Sequence, residues 1–149
     1  TNSSPNITNA TVSGNSANSG GGAMSNFSGS SPSITNTIFW NNSVAGNGSS
    51  TSASVFNFSS TPTFSYSLIA NSGGSSSWVA GIGTDNGNNI DVNPLFVNPQ
   101  APGLSTLGDY RLQFGSPAAD AGFNTANTTT TDLNGNARVV NVSFRLKNS

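Results

Sequence analysis

Apolar residues in this chain occur in short groups between polar runs, and three of the groups fall at equivalent places. Ser4-Pro5-Asn6-Ile7-Thr8-Asn9-Ala10-Thr11-Val12-Ser13-Gly14-Asn15 is answered by Ser31-Pro32-Ser33-Ile34-Thr35-Asn36-Thr37-Ile38-Phe39-Trp40-Asn41-Asn42. The third copy is Thr61-Pro62-Thr63-Phe64-Ser65-Tyr66-Ser67-Leu68-Ile69-Ala70-Asn71-Ser72. Pro5, Pro32 and Pro62 lie 27 and 30 residues apart, and a period of that size is the signature of a solenoid. Within each unit, alternation of apolar and polar residues predicts a short strand. The alternation breaks at Asn9, Asn36 or Tyr66 and resumes in a second strand. Asn tolerates the left-handed backbone that such a bend uses. Inward columns are then Ile7/Ile34/Phe64, Ala10/Thr37/Ser67 and Val12/Phe39/Ile69. Gly14-Asn15, Asn41-Asn42 and Asn71-Ser72 close the units with turn chemistry. Chance in a low-complexity chain is the competing explanation. Aligned positions that keep a branched or aromatic side chain in all three copies speak against it.

Between the units lie 20–28, beginning Gly20-Gly21-Gly22-Ala23-Met24, and 52–59, containing Val55-Phe56-Asn57-Phe58. Both end in Asn-Phe-Ser shortly before the next proline, as a further strand of the repeat with Phe27 and Phe58 turned inward. The expected core is Val12, Ile34, Phe39, Phe58, Phe64 and Ile69. The triple glycine lacks the Lys-Ser/Thr of a phosphate loop, so a tight approach between repeats is the better reading. On the outer side, Ile38, Trp40 and Leu68 make an apolar stripe on a polar protein. Residues 71–90 read as a loop excursion, and either it folds over Trp40 through Trp78 or Ile82, or another molecule does. Ile38, Trp40, Leu68 and Trp78 are therefore the candidate interaction surface.

Composition sharpens this picture. Only 33% of residues are hydrophobic and 6% charged, which is unusual for a globule, yet the net charge of −1 is far from that of a disordered chain. A β-solenoid reconciles the two, because each repeat buries few side chains while its backbone bonds to the repeats above and below. Cationic residues are Arg111, Arg138, Arg145 and Lys147 alone, too few for a nucleic-acid surface. Cysteine and histidine are absent, which excludes disulfides, thiolate metal sites and the commonest general base. No apolar run is long enough for a membrane-spanning helix. A start at Thr1 without a leader fits a mature or excised piece of an exported protein.

The segments Gly20–Ala23 and Ser31–Ser43 resemble the right-handed parallel β-helix repeats of bacterial surface proteins, such as polymorphic outer-membrane proteins and secreted adhesin-like proteins of Bacteroidetes. Residues 89–97 (Asn-Ile-Asp-Val-Asn-Pro-Leu-Phe-Val), 108–112 (Gly-Asp-Tyr-Arg-Leu) and 115–122 (Gly-Ser-Pro-Ala-Ala-Asp-Ala-Gly) are similar to that family's last coils, and 131–141 continues the likeness. The resemblance implies a right-handed parallel β-helix with an excursion at 71–90 and a C-terminal capping region. Residues 1–98 would form coils, and 99–149 the final coils and cap. Family members continue into a Val-Asp-Ile-Gly-Ala-Tyr-Glu-like strand. Here Val142-Ser143-Phe144-Arg145-Leu146-Lys147 alternates as a strand but implies no carboxylate feature. Ser116-Pro117 starts and Gly122 stops one or two helical turns; no other helix is expected.

Many parallel β-helices cleave polysaccharides with clustered carboxylates, often with calcium. The acids here are Asp85, Asp91, Asp109, Asp120 and Asp132, and no two occupy equivalent positions in adjacent repeats. Glycoside hydrolysis needs carboxylates facing each other across roughly 5–10 Å. The run 85–91 offers oxygen ligands for calcium but has neither EF-hand nor nonapeptide spacing. Asn-x-Ser/Thr sequons permit glycosylation without indicating it. An ice-binding ladder would need outward threonines, whereas the outward columns are Thr11/Ile38/Leu68 and Ser13/Trp40/Ala70. The expectation is a non-catalytic structural or adhesive module of a bacterial surface or filament protein, extracellular, without cofactor. A polysaccharide-binding or polysaccharide-degrading β-helix is the alternative. The first repeat is expected to abut upstream repeats or another copy in a fibre. The C-terminal end is expected to be capped by the Pro94–Phe96 turn, the Ser116 helix and the basic last strand.

Overall fold

The computed structural model describes residues 2–45, 50–104, 107–132 and 134–138. It is mostly strand with very little helix, and the repeats pair in parallel. The first repeat holds β1 (Asn6–Thr8), β2 (Thr11–Ser13), β3 (Ser16–Ala17) and β4 (Met24–Phe27). The second holds β5 (Ser33–Thr35), β6 (Ile38–Trp40), β7 (Ser43–Val44) and β8 (Val55–Phe58). The third begins with β9 (Thr63–Ser65) and β10 (Leu68–Ile69). Register follows the sequence alignment: Ile7 pairs with Ile34 and Ile34 with Phe64, while Val12 pairs with Phe39 and Phe39 with Ile69.

The bends are where the alternation breaks. Asn9, Asn36 and Tyr66 have φ of 58°, 53° and 49°, so each turns the chain in the left-handed region and lets the next strand face inward again. Thr37 and Ser67 then sit buried beneath the bends. The Ser67 hydroxyl accepts from the Thr37 amide at 3.1 Å, and Asn89 Oδ1 accepts from the Ser67 amide at 3.0 Å. The core runs through Ile34, Phe39, Val55, Phe64, Ile69 and Ile82, with Ile7, Val12, Ala23, Met24 and Trp78 partly buried against it.

Four expectations change. Phe27 and Phe58 are not inward: they are 51% and 61% exposed. Counting by twos from the buried Val55 turns Asn57 inward and Phe56 and Phe58 outward. Met24 and Asn26 follow the same rule in β4. The asparagines are satisfied there because the Asn26 amide donates to Asn57 Oδ1 at 2.8 Å.

The excursion is shorter than 71–90. β11 (Thr84–Asp85) pairs in parallel with Thr63–Phe64, and Ile90 bridges Leu68, so residues 84–90 make a partial fourth rung. Ahead of it, a 3-10 turn at Ala80–Ile82 places Ile82 in the core at 0% exposure, and Trp78 lies 5.8 Å from the Phe64 ring. This segment, rather than the Pro94–Phe96 turn or Ser116, closes the end of the stack beyond β9.

Residues 94–104 and 107–127 do not continue the stack. β12 (Phe96–Asn98) and β13 (Asp109–Leu112) pair antiparallel. The segment lies back along the outer side, where Gly103 donates to the Gly14 carbonyl at 2.9 Å and Asn41 Nδ2 to that of Gln100 at the same distance. Finally, Ser116 starts a turn and no helix, its hydroxyl donating to the Pro94 carbonyl at 2.6 Å. Single helical turns occur instead at Thr51–Ser54 (α1), Ala80–Ile82 and Asn124–Ala126. The strand expected at 142–147 lies outside the described residues.

The triple glycine is a tight approach. A Cβ on Gly22 would stand 2.5 Å from the Ser43 carbonyl oxygen and 2.7 Å from that of Ala53, and one on Gly20 would meet the Phe56 ring at 2.5 Å.

Candidate interaction surface

The outward side chains of β2, β6 and β10 form the stripe expected from sequence, but the chain covers part of it. Leu68 is 3% exposed, and Ile38 and Trp40 are half-buried. Ile38, Leu68 and Ile90 face Ala118 and Ala121 across a cavity of about 90 Å³. The covering segment is fastened to the bends. Asn36 Oδ1 accepts from the Phe123 amide at 2.7 Å, and its Nδ2 donates to the Phe123 carbonyl at 3.0 Å. Asn9 Nδ2 donates to Asn127 Oδ1 at 3.2 Å, and the Tyr66 and Phe123 rings stack 4.9 Å apart. Conformationally special residues thus supply a column of side chains that grips a second segment.

Trp78 does not join Ile38, Trp40 and Leu68. It packs against Phe64 and the core, and its Nε1 donates to the Gly83 carbonyl at 2.8 Å. The expected cover of Trp40 by Trp78 or Ile82 is thereby overturned: both turn to the core, and Ala118 and Ala121 cover Ile38 and Leu68.

Sequence reading missed the aromatic group on the opposite strand pair. Phe27 lies 5.8 Å from Phe56 and 6.3 Å from Phe58, ring centre to ring centre, on the outer face of β4 and β8. The signal was available: Asn26 and Asn57 share a register position, and only one of two adjacent residues in a strand can face inward.

The carboxylates serve as fasteners. Asp91 takes the amides of Asn71 and Gly73 at 3.0 and 2.9 Å. Asp85 Oδ1 accepts from Ser75 Oγ, the Gly87 amide and Asn89 Nδ2 at 2.9, 2.8 and 2.6 Å. Partial burial raises the Asp85 pKa, but these hydrogen bonds outweigh it and hold the carboxyl below its ordinary value. In the calcium-like run 85–91, Asp85 Oδ1, Asn89 Oδ1 and both Asp91 oxygens are thus taken by protein donors, and no group of three metal-ligating side chains occurs among the described residues. Asp109 is held to about 2 by hydrogen bonds from Arg111, whose Nε lies 2.9 Å away. Asp132 accepts the amides of Asn134 and Asn136, both at 2.8 Å. Arg111, Asp132 and Arg138 line an open groove with Asn9, Thr11 and Tyr110. No helix among the described residues is long and apolar enough to cross a membrane.

No protein-family model, curated protein or solved structure matches the chain.

Proposed function

We propose that the chain is a right-handed parallel β-helix module with a structural or adhesive role on a bacterial surface or filament, akin to the repeat proteins that its sequence resembles. The supporting observation is the register itself. Three repeats stack with equivalent residues superposed, held by backbone ladders and by Asn, Ser and Thr side chains in place of a large core. Such a body extends by adding repeats and presents a long, nearly uncharged side to its surroundings. Asp85, Asp91 and Asp132 accept hydrogen bonds from nearby turn donors, and Asp109 pairs with Arg111, which supports a non-catalytic role. Its partners are other repeats of the same kind and the glycans of a surface.

The Phe27, Phe56 and Phe58 group favours glycan binding as the second reading. It is an apolar platform amid serines and carries no charge, which suits the apolar face of a neutral sugar. A panel of polysaccharides, assayed for retention and for new reducing ends, tests both. Binding without cleavage, lost in Phe58→Ala, supports the glycan partner. Reproducible cleavage abolished by one Asp→Asn change overturns the non-catalytic role.

A further inference from the structure

The first strand of each repeat turns its middle residue to the core and the residues on either side of it outward. Ile7, Ile34 and Phe64 make the inward file of β1, β5 and β9. Two outward files result. One holds Asn6, Ser33, Thr63 and Thr84, and the other holds Thr8, Thr35 and Ser65. Every member is exposed or half-buried, and every one ends in a hydroxyl or an amide. The columns Thr11/Ile38/Leu68 and Ser13/Trp40/Ala70, which make no hydroxyl ladder, belong to the second strand of each repeat. The ladder lies on the first.

Pairing runs from β1 through β5 and β9 to β11 in one continuous register. The outward side chains therefore repeat in two directions, roughly 4.8 Å apart from strand to strand and about 6.6 Å along each strand. Threonine is stiff at its first side-chain torsion, so its hydroxyl and methyl hold their places. Thr35 Oγ1 and Ser65 Oγ share a hydrogen bond at 3.1 Å, among the described residues the one side-chain bond in either file. Neither file contains a charge. The outer segment is fastened elsewhere, to Gly14, Asn41 and the bends at Asn9 and Asn36.

We propose that the outer face of β1, β5, β9 and β11 binds ice. A ligand that fits it must be neutral, must offer both donors and acceptors, and must itself repeat in two dimensions at molecular spacing. Sugars are gripped through their apolar faces by aromatic rings, and neither file holds one. Liquid water already solvates each hydroxyl, so a single hydroxyl gains nothing from ice. An array does. Ordering a water against a protein costs up to about 2 kcal/mol, whereas the waters of a crystal are ordered already. Each hydroxyl that meets a lattice water therefore adds to the contact without that cost, and the threonine methyls leave liquid water at the same time. The inference rests on the stacked register and not on the adhesive role, so the two can fail separately.

The test cools a single ice crystal in a solution of the full chain and reads the gap between its melting and growth temperatures. Uptake of the chain into slowly growing ice is measured beside it. A gap, faceted crystals and enrichment of the chain in the ice are expected. Ser33→Lys and Thr63→Lys each set a long charged side chain in the middle of the face and leave the backbone ladder in place. Both variants should keep the wild-type circular dichroism and lose the gap. Thr11→Lys, the same kind of change on the outward side of β2, should keep it. A wild-type chain that neither delays growth nor enters the ice overturns the proposal. A gap that survives both lysines in folded protein overturns the placement. Retention on an insoluble polysaccharide that Ser33→Lys abolishes and Phe58→Ala leaves intact would assign the face to a glycan, and overturns ice as its ligand.

Discussion

The Asn26 side-chain amide donates to Asn57 Oδ1 across 2.8 Å, and Asn57 in turn donates to the carbonyls of Gly81 and Ile82. One relay therefore ties β4, β8 and the closing turn together. Asn26 is buried, so truncating Asn57 leaves its amide and two carbonyls without partners. Asn57→Ala is expected to cost about 1–3 kcal/mol. Asn57→Asp should be worse, since it keeps the acceptor for Asn26 but turns a carboxylate oxygen toward the carbonyl oxygens of Gly81 and Ile82. Thermal unfolding of the two variants checks the order.

Phe39 and Phe58 are both phenylalanines of short parallel strands, yet their environments are opposite. Phe39 is buried with its ring edge-on to Phe64, whereas Phe58 stands outside. Phe39→Ala is expected to cost about 3–5 kcal/mol. Phe58→Ala should stay within about 1 kcal/mol, from the loss of its ring contact with Phe27. Equal losses in denaturant titrations would show that β8 has the other face inward.

The inward columns Ile7/Ile34/Phe64 and Val12/Phe39/Ile69 were legible because a repeat states its register several times over. The strand carrying Phe27 and Phe58 was not, because hydrophobicity alone sends Phe inward ahead of Asn. Burial of Asn26 depends on an acceptor from another repeat, and a linear pattern does not display that acceptor. The same limit hid the fourth rung. Thr84-Asp85 has no apolar alternation, and its pairing is decided by the Phe64 backbone and by Ile82 entering the core. Likeness to terminal coils misplaced residues 94–127, since Phe96 and Tyr110 also satisfy an antiparallel hairpin.

Asp85 makes stability depend on pH in a defined direction. Its folded pKa lies below the ordinary 3.8, so the folded state binds the proton less readily than the unfolded one. That stabilisation is complete above the unfolded pKa and is lost as pH falls through the folded value. The melting temperature of wild type minus that of Asp85→Asn should be constant near neutrality and shrink below about pH 4. Taking the difference cancels the titration of Asp109 and Asp132. A difference that grows on acidification would refute the assignment.

Gly22 is expected to resist any side chain. The two carbonyl oxygens that an added Cβ would meet belong to backbone of the second repeat, which has no freedom to withdraw. Gly22→Ala should therefore lower the melting temperature despite the usual gain from a less flexible unfolded chain. A neutral or stabilising result would mean that the repeats are further apart than 2.5 Å to the Ser43 oxygen implies.

The bend column gives a way to release the outer segment while the backbone ladders of the stack stay in place. Asn36 plays two parts: at φ 53° it turns the chain, and its amide bonds Phe123 on both sides of one residue. Asn36→Ala would confuse these, because alanine pays about 1–2 kcal/mol for the left-handed backbone. Asn36→Gly keeps the bend and removes the grip on Phe123, at the cost of one further side-chain bond, to Asn9 Oδ1 of the neighbouring repeat. Phe123→Ala removes the stacked ring opposite Tyr66, a contact worth about 0.5–1.5 kcal/mol. Combined, the two changes should lower amide protection over 116–127 while β5, β6, β9 and β10 keep theirs. Ile38, Leu68 and Ile90 would then lose the cover of Ala118 and Ala121, and binding of an environment-sensitive apolar dye should rise. If protection over 116–127 stays at its wild-type level, the segment is held from the Ser116–Pro94 end, and the bends do not fasten it.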